Sequence, residues 1–383
     1  MWEDESMYTN YVKSTIISGV KDQHNIMVFV GNGFDIAVLK KYRKDGLIPS
    51  YSKFYDYLRY KGVLSNNILY ERMTSDREAG LENWSDFEET LGKLVQDKTP
   101  SVELNKALKE VQEYFLLFLN EIVKPEILLN VNEAAEKNKW ATRALSNFLS
   151  DLQECDYKHI KFPSLTNHYH MFNYLFVNFN YTSLLDNYLH LDKEQFEPHP
   201  YRTVDTNFSF YPNPKNYDGH RCDDRTVWST FIMTNIIHPH GYQNIPRSLL
   251  FGIEEKEYQS DKEYNKFNKS YWAQSNQKYS GYFEEVDLFI IYGTSLGKTD
   301  SWWWEKILSS LLHKDSELII YYYNNPQCDE ETVKTKFIDA CKRADLDEET
   351  IENVKKKIFV VLYTDSDENV LFGMNSGEQI WCM

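Results

Sequence analysis

The chain has 383 residues, of which 42 % are hydrophobic and 26 % charged, a balance typical of a folded protein rather than a disordered one. A net charge of −16 argues against broad binding to DNA or RNA, and no apolar run approaches the roughly 20 residues that a membrane helix needs. The acidic start does not resemble a secretory signal, and five scattered cysteines without a C-x-x-C pair are typical of reduced thiols. We therefore predict a cytoplasmic protein that binds no membrane.

The first 60 residues predict a short N-terminal helix, a buried strand and a glycine turn. The helix is expected within residues 1–25, and Met27–Val30 is an apolar, β-prone run. Gly31-Asn32-Gly33 interrupts this run, and the residues from Phe34 onward can start a helix. A strand, a glycine turn and a helix N-terminus in that order form a generic phosphate-binding device, although many α/β domains have such a turn for steric reasons alone.

Residues 61–165 predict a helical insertion. Ser85 and Glu88 stand at capping-box spacing at the start of one helix, and apolar residues recur with a helical period between Leu104 and Ile122. No strand pattern interrupts the block. We therefore predict an insertion domain at 61–165 and a core domain formed by 1–60 and 166–383, with an irregular insertion at about 191–235.

Strands resume after this block and alternate with helices, which predicts a parallel sheet and an α/β fold. Asp300 or Ser301 is positioned to cap the helix that follows the clearest of these strands. The predicted strands are Tyr174–Phe179, a short strand leading from Asn235 to Gly241, Leu249–Ile253, Val286–Tyr292, Leu318–Tyr323 and Ile358–Tyr363.

Four of the predicted strands end in a small, polar or glycine-containing turn, with the letters GNGFD, FNYT, HPHG and GTSL. In a parallel sheet these ends lie at one edge, and ligands bind outside the carboxyl ends of the strands. One such turn is ordinary, but four together predict a nucleotide pocket.

Two residues of these turns are candidates for chemistry. Asn180 could orient a ribose hydroxyl or a water, or its side chain could satisfy the backbone of its own turn. His240 could act as a general base near neutral pH, or it could be structural. His168 with His170, and His238 with His240, form H-x-H pairs, but no partner pattern of cysteines or carboxylates accompanies them, so we predict no metal site.

The order of the motifs resembles a known family. The series is similar to the succession of NAD-contacting motifs in sirtuins and their bacterial defence relatives. With the W-x-DFE letters of Trp84–Glu88, its spelling most resembles the bacteriophage abortive infection AbiH family. The motifs span about residues 28–325 and read GNGFD (31–35), LIPSYSKF (47–54), FNYT (179–182), HPHG (238–241), GTSL (293–296) and YYNN (322–325).

The resemblance implies a sirtuin-like, Rossmann-type parallel sheet that binds NAD. Asn180 would position the attacking water or the ribose, and His240 would be the catalytic histidine. The segment Pro49–Phe54 resembles the loop that closes over the nicotinamide end, and Asp35 stands where sirtuins have a serine. The residues that the resemblance assigns to NAD binding are Gly31, Asn32, Gly33, Phe34, Asp35, Pro49, Ser50, Tyr51, Phe54, Tyr181, Gly293, Thr294, Ser295, Asp300, Asn324 and Asn325.

The chain also departs from the sirtuin pattern. It lacks the zinc-binding cysteine pairs of deacetylating sirtuins, and Thr182 replaces the aspartate of their N-x-D turn. Defence relatives with the same motif order and no zinc module are NAD hydrolases. The leading hypothesis is an antiphage effector that hydrolyses the nicotinamide–ribose bond of NAD, acting alone, as a homo-oligomer or under a phage-derived trigger. The alternative is a non-catalytic sensor of NAD or ADP-ribose, or an interaction module.

Overall fold

The computed structural model describes residues 7–14, 16–62, 66–82, 84–191, 199–200, 204–217, 226–253, 262–324, 328–343, 345–365, 367 and 369–374. Strands and helices alternate along most of this length, which confirms the predicted α/β class. The strands are β1 (Asp22–Val30), β2 (His170–Asn178), β3 (His199–Pro200), β4 (Asp205–Thr206), β5 (Phe208–Phe210), β6 (Trp228–Ile237), β7 (Leu288–Tyr292), β8 (Glu317–Tyr323) and β9 (Ile358–Tyr363).

Seven strands form one open sheet in the order β5-β6-β2-β1-β7-β8-β9. All neighbours are parallel except the edge pair of β5 and β6. The six parallel strands, numbered by their order in the chain, run 3-2-1-4-5-6 across the sheet, which is the order of the dinucleotide-binding doubly wound fold. The strand order reverses between β1 and β7, and in such sheets the ligand crevice lies at that point.

Helices cover both faces of the sheet. Alternate residues of each central strand point to opposite faces, so that Val28 joins one hydrophobic core and Phe29 the other. The first core packs against α1 to α10, and the second packs against α13 to α15. The helices are α1 (Asn32–Tyr42), α2 (Tyr51–Lys61), α3 (Ile68–Glu78), α4 (Phe87–Gln96), α5 (Ser101–Ile122), α6 (Pro125–Lys137), α7 (Trp140–Asn147), α8 (Glu154–His159), α9 (Phe162–Leu165), α10 (Leu184–Leu189), α11 (Lys269–Ala273), α12 (Ser275–Tyr279), α13 (Ser301–His313), α14 (Glu330–Ala340) and α15 (Glu348–Lys355).

The described residues of the 61–165 block form helices joined by turns, with no strand among them, as predicted. Its apolar residues join the first core together with side chains of the sheet, so the helices and this face of the sheet share one interior. The division of the chain into a core domain and an insertion domain stays a prediction. Among the described residues, no helix combines the length and apolar character required to cross a bilayer.

Four predicted features differ from the structure. The described part of residues 7–21 forms turns rather than a helix, and β1 begins five residues before its apolar run because Asp22–Asn25 pair with β2. An irregular segment is predicted at 191–235, but β4, β5 and most of the ten-residue β6 lie there. The Thr and Asn residues of β6 interrupt the apolar pattern that would have predicted this strand. Leu249–Ile253 is not a strand and makes a single bridge, from Ile253 to Asn268.

Candidate functional site

The four polar turns meet at the carboxyl edge of the sheet, as the sequence predicts. Val30 is in register with Asn178 on one side and with Tyr292 on the other, so the turns that follow β1, β2 and β7 leave the sheet at one level. Val177 is in register with Ile237, which places the HPHG turn beside FNYT. The turns therefore surround the point where the strand order reverses.

The glycines of the first and last turns allow the two backbones to touch. The Gly33 N–H donates to the Gly293 carbonyl oxygen at 2.8 Å, and Gly293 has φ of +65°. A Cβ added at Gly33 would lie 2.7 Å from the Gly293 Cα, so no larger residue fits there without moving the backbone. The Gly33 N–H is thus engaged within the protein and the turn has a steric role, while its contact with a phosphate stays a prediction.

Asn180 links the turns after β1 and β2. Its side-chain amide donates to the Gly31 carbonyl oxygen at 3.1 Å, and its backbone N–H donates to the side-chain oxygen of Asn178 at 3.0 Å. Asn180 is only 5 % exposed. Its amide group is therefore held in place beside the glycine turn.

His240 packs on the same turn from the other side. Its ring stacks on Phe179, with centroids 4.9 Å apart and planes 17° apart, and its Nε2 lies 3.1 Å from Asp300 Oδ1. Burial lowers the pKa of His240, and the Lys269 ammonium adds to this effect against the opposing influence of Asp300. The imidazole is therefore uncharged at neutral pH, the state in which it can accept a proton.

The position of His240 is fixed by its own loop. Gly241 has φ of +92°, and a Cβ at this position would lie 1.9 Å from the Ser248 carbonyl oxygen. The Leu250 N–H donates to the His240 carbonyl oxygen at 2.8 Å, and the Tyr181 hydroxyl donates to the Leu250 carbonyl oxygen at 3.0 Å. The structure therefore brings Asn180, Tyr181 and His240 together at this edge of the sheet, and their roles stay predictions.

A buried ion cluster that the sequence analysis did not predict lies beside His240. Lys269 Nζ lies 2.7 Å from Glu88 Oε2 and 3.6 Å from Asp300 Oδ1, and the Glu88 and Lys269 side chains are 7 % and 6 % exposed. Burial raises the pKa of Glu88 to about 7, although Lys269 opposes the shift. Burial would also raise the pKa of Asp300, but Lys269 and His240 outweigh it and hold that pKa below its usual value.

The sequence pattern around Glu88 and Asp300 predicted helix capping rather than an ion cluster. Glu88 belongs to the W-x-DFE letters, and we expected it to form a capping box with Ser85. In the structure Asp86 is the N-cap of α4, because its carboxylate accepts from the N–H groups of Glu88 and Glu89 at 3.0 Å. Glu88 is therefore not part of the cap, and its side chain points inward. Asp300 precedes α13 but makes no side-chain cap bond, since its carboxylate faces His240 and Lys269.

A second polar cluster surrounds Asp35, which is 1 % exposed. The Thr182 hydroxyl donates to Asp35 Oδ2 at 2.6 Å, and His238 Nε2 lies 3.0 Å from Asp186 Oδ1. Burial raises the pKa of Asp35 to about 7, with Thr182 opposing the shift and Asp186 adding to it. Thr182 thus holds the buried Asp35 carboxylate through its hydroxyl.

The predicted nicotinamide loop begins a helix in the structure. Ser50 caps α2, whose first turn contains Tyr51 and Phe54, and the Asn32 side-chain amide donates to the Pro49 carbonyl oxygen at 2.8 Å. The Tyr51 hydroxyl interacts with that of Tyr181. Phe54 packs against Phe115 and Phe118, so its side chain belongs to the core.

The remaining predicted residues lie at the same edge with different exposures. Phe34 is fully buried against Tyr188 and Phe372, so only its backbone could meet a ligand. Thr294 is half-buried, Ser295 is exposed, and Asn324 follows β8 with its N–H bonded to the Tyr363 carbonyl oxygen. Asn325 lies outside the described residues.

Buried polar atoms without a hydrogen-bond partner concentrate at this edge of the sheet. Such atoms are uncommon in folded proteins, and each requires an explanation such as a bound water or ligand. Within the part of the chain that the structure describes, they include Asp35 Oδ1, Asn178 Nδ2, Asp186 Oδ2, His238 Nδ1, Gln243 Oε1, Thr294 Oγ1, Ser301 Oγ and Asn324 Oδ1. The edge therefore presents buried polar atoms that a bound water or a polar ligand could satisfy.

The two H-x-H pairs do not act as units. His168 accepts from the Ser229 N–H at 3.1 Å, whereas His170 contacts His24. His238 faces Asp186 and His240 faces Asp300, so the two histidines of the second pair have separate partners.

The fold and this edge define a class: an α/β protein with the dinucleotide-binding strand order, a helical block on one face and a buried His–Asp–Lys–Glu cluster at the switch point. The family model described as bacteriophage abortive infection AbiH matches residues 27–322, well over half of the chain. The chain therefore belongs to the AbiH family, a family of phage abortive infection. No curated protein and no solved structure matches it.

Proposed function

We propose that this protein is an abortive-infection effector that binds NAD as its substrate and hydrolyses the nicotinamide–ribose bond. The observation that carries the proposal is the pairing of Asn180 and His240 on either side of one turn at the switch point of the sheet. Asn180 is anchored to Gly31, and His240 is stacked on Phe179 with its imidazole uncharged. A nucleotide in the crevice would place its ribose near both residues.

The proposed reaction is NAD⁺ + H₂O → ADP-ribose + nicotinamide + H⁺. The C1′–N bond breaks through an oxocarbenium-like state, and nicotinamide leaves with the bonding electron pair. Asn180 positions the water and a ribose hydroxyl, and His240 accepts the proton that the attacking water releases. The α1 N-terminus faces the same edge and favours the pyrophosphate.

The ion cluster supports this chemistry from beside the site. Asp300 holds the His240 ring, and Lys269 holds Asp300 while it also binds Glu88. With Asp300 ionised, a protonated His240 would be stabilised as it forms. The cluster thereby keeps the proposed base oriented.

The test is to incubate the purified full chain with NAD⁺ and follow nicotinamide and ADP-ribose by chromatography. His240→Ala and Asn180→Ala are each expected to lower turnover at least 100-fold, as is typical for loss of a general base or a polar stabilising group. His313→Ala changes an exposed histidine of α13 and is the control. Melting curves of each variant would show that the fold is kept.

The same variants should be assayed in cells during phage infection, where the proposed phage-derived trigger is present. A fall in cellular NAD with wild type and none with His240→Ala supports the proposal. Protection from phage with unchanged NAD, or equal NAD loss with all variants, contradicts it.

The second candidate is a non-catalytic sensor of NAD or ADP-ribose, and one observation favours it. The His240 side chain is only 7 % exposed and the Gly33 N–H is already bonded to Gly293, so the site is tightly closed in this conformation. Calorimetry that shows binding of NAD or ADP-ribose without consumption would support the sensor, and measured turnover would exclude it.

A further inference from the structure

Two histidines and one aspartate meet at the amino edge of the sheet, on the side opposite to the candidate site. Asp22 and His24 are two residues apart on β1, and His170 is in register with Asp22 on β2, so all three side chains point to one face. One ligand atom from each lies within 4.8 Å of the other two. His24 Nε2 and His170 Nδ1 are 2.9 Å apart.

We propose that Asp22, His24 and His170 bind a divalent first-row transition metal, with Zn²⁺ as the ion that fits best. Two imidazole nitrogens and one carboxylate oxygen are a three-ligand set that Zn²⁺ takes in proteins, with a water completing the tetrahedron. The set holds too few oxygens for Mg²⁺ or Ca²⁺.

The distances require little movement on metal binding. Two nitrogens bound tetrahedrally to Zn²⁺ at 2.0–2.1 Å would be about 3.3 Å apart, so the imidazoles need to separate by about 0.4 Å. His24 is buried and held by ring contacts with Phe162 and Phe172, whereas His170 is half-buried at the start of β2. The more exposed His170 and Asp22 can therefore make the adjustment.

A carboxylate lies near the outer nitrogen of His24 but beyond hydrogen-bond distance, on the side where a metal-bound histidine usually has its partner. The Nδ1 of His24 lies 4.0 Å from Asp287 Oδ2, on the side of the ring away from His170. A carboxylate that accepts from the free ring N–H orients the ligand and increases its basicity. Asp287 is itself held by the Asn25 N–H at 2.8 Å.

Asp287 also lines a groove that opens at this edge of the sheet. The other acidic residues of the groove are Glu284, Glu285, Asp315 and Glu317, against a single lysine, Lys314. This charge attracts cations toward the histidine pair. Lys21, which is exposed and directly precedes β1, carries a positive charge that would oppose cation binding. Its ammonium lies over the Tyr169 ring, 4.6 Å from the centroid.

The test measures the metal content and the Zn²⁺ affinity of the full chain, purified without an affinity tag or a chelator. Elemental mass spectrometry should detect about one Zn²⁺ per chain after the protein has been incubated with ZnCl₂ and desalted. At 100-fold excess over its dissociation constant, Zn²⁺ should raise the Tm by roughly 3 °C, and MgCl₂ should not change it.

Asp22→Asn and His170→Asn should each weaken Zn²⁺ binding at least tenfold in competition with a chromogenic chelator. Both positions are at the edge of the sheet, and asparagine at position 22 can still accept from the Gln23 N–H as Asp22 does. His313→Ala, on the surface, should bind as the wild type. Stoichiometric iron, cobalt or nickel that both variants lose would also support the site, whereas metal retained equally by all variants, no binding by wild type, or an equal response to Mg²⁺ would overturn it.

Discussion

At the scale of the residue, Asp35 shows how a buried carboxylate can follow a glycine turn. It stands in the first turn of α1, where a negative charge is favoured by the helix dipole, and Thr182 donates to it. Burial nevertheless raises its pKa to about 7. The side chain therefore carries a proton for much of the time at neutral pH, which removes the conflict between a carboxylate and an anionic ligand at this edge.

The first prediction concerns the pH dependence of stability. Between the ordinary aspartate pKa near 4 and about 7, folded Asp35 retains a proton that the unfolded chain has released, so the free energy of unfolding falls as the pH rises. The slope from this one group is at most about 1.4 kcal/mol per pH unit. Asp35→Asn should reduce that slope, as measured by urea unfolding from pH 4.5 to 8. Asp315→Asn, at a site 94 % exposed, should leave it unchanged, and an unchanged slope for Asp35→Asn would contradict the assignment.

The second prediction separates backbone strain from close contact at Gly293. Gly293 and Gly62 both have φ of +65°, but only Gly293 has backbone atoms within 4 Å of an added Cβ. Gly62→Ala should lower the free energy of unfolding by about 1 kcal/mol. Gly293→Ala should cost at least about 1 kcal/mol more, because the turn after β1 must also move. Equal costs in urea unfolding would mean that the contact between the two turns is unimportant.

At the scale of the element, the start of α4 decides whether Glu88 caps a helix or joins the ion cluster. Glu88 is three residues after Ser85, the spacing of a capping box, but Asp86 occupies the N-cap. The shift of one residue turns Glu88 toward the interior. Local spacing was compatible with both arrangements, and the burial of Phe87 and Leu91 in the core selects the observed one.

The third prediction follows from the assignment of Asp86, rather than Ser85, as the N-cap of α4. Asp86→Ala should lower the free energy of unfolding by about 1 kcal/mol, because two backbone N–H groups lose their acceptor. Ser85→Ala should stay within about 0.5 kcal/mol of wild type. The measurement is urea unfolding at pH 7. A larger cost for Ser85→Ala than for Asp86→Ala would favour the capping box that the sequence predicted.

At the scale of the whole molecule, the ion cluster joins the helical block to the edge of the sheet. Glu88 comes from α4, Lys269 from α11 and Asp300 from the segment before α13. Removal of one member of a buried ion pair leaves its partner uncompensated, which typically costs about 3–5 kcal/mol. The cluster therefore couples the stability of the helical block to the position of His240.

The fourth prediction is a double-mutant cycle on this pair. Lys269→Met should be strongly destabilising, and Glu88→Gln/Lys269→Met should be less destabilising than the sum of the single changes, with a coupling energy of about 1–3 kcal/mol. The exposed pair of Glu154 and Lys158 on α8 is the control, where coupling should be about 0.5 kcal/mol or less. Additive effects at Glu88 and Lys269 would show that the two charges do not stabilise one another.

The sequence by itself determined the apolar strands β1, β2, β7, β8 and β9, their alternation with helices, and the edge of the sheet at which the polar turns gather. Apolar runs such as those of β1 and β7 and the polar turns that follow them are local patterns, so the predictions for Gly31, Asn180, His240 and Gly293 needed no knowledge of packing. The turns lie at one edge because the strands are parallel.

The tertiary structure alone decided which side chains meet. Glu88 and Lys269 are 181 residues apart, and His24 and His170 are 146 apart, so their contacts depend on how helices and strands pack and on strand register. It also decided that the Gly33 N–H is bonded to Gly293, that Phe34 and Phe54 belong to the core, and that Asp300 holds His240 rather than its helix. Charged and polar side chains carry no periodicity of their own, and only burial shows which of them are paired.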